Sequence, residues 1–181
     1  MVLLTKIFGV LVGLIVVVVG AGLVLPSTVH VEREIVINAQ PDDVFALISD
    51  FNEWDAWSPW AKLDPDADMT IEGGAGIGQT MSWSSENPQV GSGSQEIVAM
   101  DAPNSLKTYL DLGEMGVADA SFALIPENDG TRVVWSLDTD SRERVPLVKQ
   151  PISTYFGFFM DAMLGGDYET GLQNLKSLAE S

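Results

Sequence analysis

The residues that could carry out chemistry in this chain are restricted in type. The 181 residues include 26 Asp and Glu, no cysteine and a single histidine, His30. The lack of cysteine excludes disulfides, thiolate metal sites and cysteine nucleophiles, and one imidazole excludes His-cluster metal sites. Carboxylates and Tyr109 remain for acid–base catalysis, but no pair of carboxylates has a diagnostic spacing. The sequence therefore identifies no catalytic residue, no metal site and no cofactor site.

Arg33 is a charged residue in an otherwise apolar register. It alternates with Val31, Ile35 and Ile37 in a predicted strand, so strict alternation points its guanidinium inward. An inward guanidinium could pair with a buried acid or bind a ligand carboxylate or phosphate. The alternative is an edge or bulge position that lets Arg33 reach water near the start of the strand.

Large aromatic and methionine side chains are the candidates for lining a binding cavity, because they form adaptable apolar walls. The alternative is that they fill the core, which is favoured for Trp57 because the short helices need packing partners. Together with Arg33 and Tyr109, the candidate cavity residues are Trp57, Trp60, Met81, Trp83, Trp135, Phe156, Phe159, Met160 and Met163.

Hydrophobic periodicity from residue 29 onward predicts an α+β domain. A strand over 29–37 precedes a helix that begins near Pro41 and a second short helix through Trp57. Short connections between the later strands favour an antiparallel meander. The six later strands are predicted near residues 69–72, 79–84, 93–100, 105–112, 117–126 and 131–138.

The C-terminal stretch is predicted to be one long helix. Apolar residues recur at spacings of three and four from Met160 to Leu178, although Gly165 and Gly166 interrupt them. A kink or a close approach to the sheet would account for these glycines. The elements together predict a curved seven-stranded antiparallel sheet wrapped around this helix, with the two short helices closing one end. Such an arrangement leaves an internal space unless large side chains fill it.

The N-terminal segment predicts a membrane anchor. Residues 7–29 contain no charged side chain, and about 20 apolar residues cross a bilayer as a helix. The alternative is a cleaved signal peptide, although the segment exceeds the usual apolar core of about 7–15 residues. We expect an anchor over 1–28 and a folded domain over 29–181. Lys6 weakly favours a cytoplasmic N-terminus, with the domain outside the cytoplasm.

The charge of the chain bears on its partners. Lys and Arg total 9, which leaves a net charge of -17. A surface this acidic repels phosphate backbones, so nucleic-acid binding is not expected.

Four segments resemble the polyketide cyclase/dehydrase-like proteins of the START-related (SRPBCC) superfamily, which have the helix-grip fold. They are residues 31–45, 48–60, 130–135 and 167–176, and their order is the family's. The resemblance covers roughly 29–180 and implies an apolar cavity between the sheet and the C-terminal helix. It also implies binding of lipids, sterols, polyketides or other hydrophobic molecules, and some members catalyse reactions.

These observations favour a membrane-anchored binding protein whose partner is a hydrophobic small molecule or lipid. One alternative is a polyketide cyclase/dehydratase-like or hydrolytic enzyme that uses a cavity carboxylate or tyrosine. A second is an interaction module with a filled interior and no ligand. The sequence does not indicate an oligomeric state.

Overall fold

A computed structural model describes residues 2–181, with side chains for 6–113 and 115–181. The long helices and strands follow the predicted order, with short 3₁₀ segments at Phe51–Ala56, Trp60–Lys62 and Gly113–Met115. In chain order the elements are α1 (Val2–Val24), β1 (Thr28–Ile37), α2 (Pro41–Ile48), β2 (Asp68–Glu72), β3 (Thr80–Ser84), β4 (Ser92–Asp101), β5 (Ser105–Asp111), β6 (Val117–Glu127), β7 (Gly130–Asp140) and α3 (Gln150–Ala179).

The seven strands form one antiparallel sheet in the order β1-β7-β6-β5-β4-β3-β2. Strands β2 to β7 are a meander, as predicted, because short turns connect neighbours along the chain. The first strand instead pairs with the last, from Thr28 opposite Asp140 to Ile37 opposite Thr131. This pairing brings the start of the domain beside its C-terminal helix.

Alternation along the strands separates an inner face, which is covered by α3 and the short helices, from an outer face. The buried inner positions include Val31 of β1, Phe122 of β6 and Trp135 of β7. The registers of β1, β6 and β7 confirm that Arg33, Trp135 and Phe122 occupy one row across the sheet. The core therefore lies between this inner face and the helices.

The helical segments after β1 begin where local chemistry favours them. Pro41 occupies the first turn of α2, and Asp42 and Asp43 lie at the positive end of the helix dipole. The Asp50 side chain then accepts a hydrogen bond from the Asn52 backbone N–H and caps the next segment. The hydrogen bond from Gln79 and that backbone N–H lower the pKa of Asp50.

The long C-terminal helix begins at Gln150, ten residues before the predicted repeat starts at Met160. Residues 150–159 carry apolar side chains on several faces, which hides the helical period in the sequence. The helix continues through Gly165 and Gly166 without a break.

Of the two explanations offered for Gly165, a kink or a close approach to the sheet, the structure shows the close approach. A Cβ atom at Gly165 would overlap the guanidinium of Arg33 on β1. Gly171 is similar, because a Cβ there would lie 2.8 Å from Cζ3 of Trp135. By contrast, a Cβ at Gly166 would meet open space.

The N-terminal helix is apolar and long enough to cross a membrane over Lys6–Val24. Residues 6–20 are exposed, and the contacts with the domain that the described residues show lie toward the C-terminal end of the helix, at Val18 and Gly22. Length and composition alone support a span, so membrane anchoring by α1 remains a prediction.

Candidate functional site

Five aromatic rings meet between the sheet and α3. Trp135 stacks on Tyr168 with ring centroids 3.8 Å apart and on Phe122 at 5.0 Å. Trp57 and Trp60 approach Trp135 edge-on, at centroid distances of 5.6 and 6.0 Å. Stacked and edge-to-face contacts each stabilise aromatic pairs beyond their buried area. We call these five residues the aromatic cluster.

The aromatic cluster fills the space in which the sequence placed a cavity. Trp57, Trp135 and Tyr168 are each no more than 2% exposed. Two of its members, Phe122 and Tyr168, were not among the candidate cavity residues. Their role emerges only when β6 pairs with β7 and α3 covers them, although both lie on the apolar register of their own elements. Trp57 and Trp135 thus pack in the core with Phe122 and Tyr168, and Trp60 packs against it.

The indole nitrogen of Trp135 lacks an acceptor within the described residues. The other buried indoles do not share this property, because Nε1 of Trp54 donates to Ile48 O and Nε1 of Trp57 donates to Leu47 O. The half-buried Trp83 also donates, to Val90 O. A buried donor without a partner costs about 1–3 kcal/mol, so such groups are rare in folded proteins.

The buried polar side chains among the described residues are neutral, and the half-buried Arg33 adds a charged group to the inner face. Nε2 of Gln95 donates to Oγ1 of Thr108 at 2.7 Å, and both residues are buried. Burial raises the pKa of Tyr168 above its ordinary value, so its hydroxyl stays protonated at neutral pH. Among the described residues, no Asp or Glu is buried. The described interior is therefore apolar and closely packed, with neutral hydrogen-bonding groups and no buried carboxylate that could act as a base.

Three further predicted cavity residues contribute to this core or pack against it. Met81 of β3 is buried within it, while Trp83 and Met160 are half-buried and pack against it. Met160 and its neighbour Leu164 are the side chains through which the N-terminal half of α3 reaches the core.

Arg33 points toward α3 and binds two acids on that helix. Its Nη1 lies 2.8 Å from Oδ1 of Asp161, and its Nε lies 2.9 Å from Oε1 of Glu169. Nη1 also donates to the carbonyl of Glu32. The Arg33 guanidinium lowers the pKa of the Asp161 carboxyl. The predicted partner was a buried acid, whereas Asp161 and Glu169 are 59% and 66% exposed. Arg33 joins β1 to α3, and its place in a ligand site remains a prediction.

Tyr109 lies on the outer face, away from the expected interior. It alternates with the buried residue Thr108 on β5, so its side chain projects to the other side of the sheet. There it lines a cleft of about 320 Å³ with Asp119, Asp138 and Glu143. Within the described part of the chain, no three acidic or histidine side chains are placed to hold a metal ion.

The histidine borders this outer cleft. Nδ1 of His30 lies 2.7 Å from Oδ1 of Asp138, and Nε2 lies 3.6 Å from Oε2 of Glu32. The hydrogen bond with Asp138 raises the pKa of His30. Both His30 and Asp138 are more than half exposed.

Phe156, Phe159 and Met163 do not face the sheet. They are between 61% and 67% exposed, on the side of α3 opposite its buried residues. An α-helix turns by 100° per residue. The side of α3 that contacts β1, at Gly157, Asp161 and Gly165, therefore lies opposite the side that carries these three residues. These residues do recur at helical spacing, but they form the exposed side of α3 and not the side that faces the core.

The arrangement defines the class of protein. An antiparallel seven-stranded sheet, short helices after the first strand and a long C-terminal helix over the inner face constitute the helix-grip fold. The family model described as polyketide cyclase / dehydrase and lipid transport matches residues 28–180. The chain therefore belongs to this family, whose fold is a START-like and Bet v 1-like ligand-binding fold.

Solved structures support the same fold at low sequence identity. The di-domain aromatase/cyclase StfQ of the steffimycin biosynthetic pathway has 13% identity and a TM-score of 0.63, over 84% of this chain and 51% of that one. A protein from Thermobifida fusca has 17% identity and a TM-score of 0.61, over 83% and 92%. Truncated norcoclaurine synthase from Thalictrum flavum has 13% identity and a TM-score of 0.57, over 83% and 92%. No curated protein matches the chain.

Proposed function

We propose that this chain is a membrane-anchored binding protein for a hydrophobic small molecule or lipid, held between the sheet and α3. The family and the apolar, uncharged interior support binding of a hydrophobic molecule. The apolar helix α1 supports the anchor. Lys6 before the helix weakly favours an N-terminus in the cytoplasm and a domain outside it.

The unpaired indole N–H of Trp135 is the observation that carries the binding proposal. It is a buried donor in the middle of an aromatic surface. A ligand oxygen, such as a carbonyl or hydroxyl, would accept this hydrogen bond and remove the cost of the unpaired donor. Aromatic rings on either side would contact the apolar body of the ligand.

Entry of a ligand requires one wall of the interior to move, because the aromatic cluster is closely packed. The C-terminal half of α3 is firmly anchored, since Tyr168, Leu172 and Leu175 are buried. The N-terminal half contacts the core through the half-buried Met160 and Leu164, while Pro151, Thr154 and Gly157 are buried against other parts of the protein. Opening on this side would separate Asp161 from Arg33 and Thr154 from Arg142.

Ligand retention by the full-length protein tests the proposal. We expect native mass spectrometry of protein purified in mild detergent to show a bound hydrophobic molecule, identified after solvent extraction. Trp135→Phe keeps the ring and removes the donor, so it should lower retention roughly fivefold, the effect of about 1 kcal/mol. Trp83→Phe is the matched control, because the Trp83 donor already has its acceptor in Val90.

Two results would contradict binding at this site. One is wild-type protein that carries no hydrophobic molecule from any membrane preparation. The other is equal retention by the Trp135→Phe and Trp83→Phe variants.

The filled interior favours a second candidate function, an interaction module without a ligand. Large exposed apolar side chains on α3 provide a surface of the kind that such a module uses. Its support would be a stable, specific protein partner together with absence of a bound hydrophobic molecule. The catalytic alternative lacks comparable support, because the described interior contains no buried carboxylate and Tyr109 lies on the outer face.

A further inference from the structure

The first half of α3 carries an exposed apolar stripe. Ile152, Phe156, Phe159 and Met163 follow one another at spacings of four, three and four residues, so they lie on one side of the helix. Each is between 61% and 67% exposed. We call these four residues the apolar stripe. A continuous row of this kind on a soluble surface usually marks an interaction site.

The apolar stripe lies beside the end of the N-terminal helix. The hydroxyl of Tyr155 donates to the carbonyl of Val18 at 2.8 Å. Pro151 packs so closely on α1 that a Cβ at Gly22 would lie 2.8 Å from its Cα. The side chain of Arg142 donates to the carbonyls of Gly22 and Leu25. The start of α3 is thus attached to the last two turns of α1.

This attachment sets the depth of the stripe if α1 crosses a bilayer. Val18 precedes the end of α1 at Val24 by six residues, which corresponds to about 9 Å along a helix. The Tyr155 hydroxyl therefore lies about 9 Å inward from the end of α1, inside the hydrocarbon core, whereas Pro151 beside Gly22 lies nearer its edge. Tyr155, Phe156, Phe158 and Phe159 supply four of the ten Tyr and Phe residues of the chain, and aromatic side chains of this kind suit the lipid-facing side of a membrane-surface helix.

We propose that the apolar stripe docks into the interfacial layer of the same bilayer that α1 crosses. This inference rests on the membrane anchor of the proposed function. It places the N-terminal half of α3 partly in lipid, beside Met160 and Leu164. A hydrophobic ligand would then pass between bilayer and interior along α3 without crossing water.

Spin labels on the full-length chain test the docking, because the chain has no cysteine and any introduced one is unique. Phe159→Cys reports on the stripe, and Val16→Cys reports on the middle of α1. Gln173→Cys is the control, at an exposed position in the C-terminal half of α3. Each labelled protein is placed in vesicles of equal parts phosphatidylcholine and phosphatidylglycerol. Collision with oxygen reports lipid, and collision with a water-soluble nickel chelate reports water.

We expect the labels at 16 and 159 to collide more often with oxygen, and the label at 173 to collide more often with the nickel chelate. The ratio of oxygen collisions to nickel-chelate collisions should be several-fold higher at 159 than at 173. A label at 159 that resembles 173, while 16 remains in lipid, overturns the docking and leaves the anchor intact. A label at 16 that is exposed to water overturns the anchor itself.

Low collision with both reagents at 159 would mean that protein, such as a second copy of the chain, covers the stripe, and it also overturns the proposal. Circular dichroism melting of each labelled variant establishes that it is folded. Phe156→Cys is the second reporter if the variant at 159 does not fold.

Discussion

Arg33 and Gly165 form a matched pair across the contact between β1 and α3. The guanidinium occupies the volume that any side chain at Gly165 would need. Its bonds to Asp161 and Glu169 then tie the first strand of the domain to its last helix. The backbone of α3 comes close to Arg33 at Gly165, and the Arg33 guanidinium donates charge-assisted hydrogen bonds to Asp161 and Glu169. The hydrogen bonds therefore require the absence of a side chain at residue 165.

We expect Gly165→Ala to destabilise the domain by about 1–3 kcal/mol, because the added methyl group overlaps the Arg33 guanidinium. Gly166→Ala is the matched control and should be neutral or stabilising by up to about 1 kcal/mol, since the space there is open and alanine favours helix. Thermal unfolding in detergent measures both changes. Equal stability of the two variants would contradict the proposed overlap.

The ion pair between Arg33 and Asp161 predicts a dependence of stability on pH. The pKa of Asp161 is lowered in the folded state, so its contribution is present above its ordinary value of 3.8. The contribution is lost as the pH falls through the lower folded value. We expect Asp161→Asn to be less stable than wild type at neutral pH, and the difference to shrink in acid, as unfolding midpoints measured across the acidic range will show. A difference that does not change with pH argues against the pair.

At the scale of elements, Arg142 contributes the largest number of hydrogen bonds that the structure shows at the junction between α1 and the domain. Arg142 donates to two carbonyls at the C-terminal end of α1 and to Oγ1 of Thr154 on α3. A cation at this end of a helix also interacts favourably with the helix dipole. The junction orients α3 relative to α1, and with it the apolar stripe.

We expect Arg142→Met to destabilise the folded protein by about 1.5–3 kcal/mol, because it removes several hydrogen bonds from a charged donor. Arg144→Met is the control, since Arg144 pairs with Asp111 at an exposed site and should contribute less than about 1 kcal/mol. Thermal unfolding and protease cleavage near residue 25 measure the effect. A junction that is equally stable in both variants would show that Arg142 is dispensable.

The sequence predicted elements better than it predicted which of their faces would be buried. Alternation in β1 correctly indicated an inward Arg33, because the period of a strand is local. The same type of argument did not place Phe156 and Phe159, because the first half of α3 is apolar on several sides and only its neighbours decide which side is covered. Tyr109 was predicted to line the interior, but it lies on the outer face. Alternation with the buried Thr108 would have indicated that position.

At the scale of the molecule, the acidity of the chain dominates its long-range electrostatics. A net charge of -17 on a single domain causes self-repulsion in the compact state. Most carboxylates lie on the surface, because burial of an unpaired charge is costly.

We expect the melting temperature to rise when salt increases from low ionic strength to about 0.15 M, where the Debye length falls to about 8 Å and repulsion is screened. The control is the same titration at a pH low enough to protonate the carboxylates, where the rise should disappear. Melting followed by circular dichroism at both pH values measures it. A melting temperature that falls with salt at neutral pH would show that ion pairs outweigh self-repulsion.

The sequence by itself determined the order of elements, the seven strands, the long final helix, the family and the apolar character of α1, because these properties are encoded in residues close together along the chain. Only the tertiary structure decided that Trp135 stacks between Phe122 and Tyr168, that Arg33 binds acids 128 and 136 residues away, and that the apolar stripe faces outward beside α1. Such contacts depend on how distant elements meet in space, and local periodicity carries no information about that meeting.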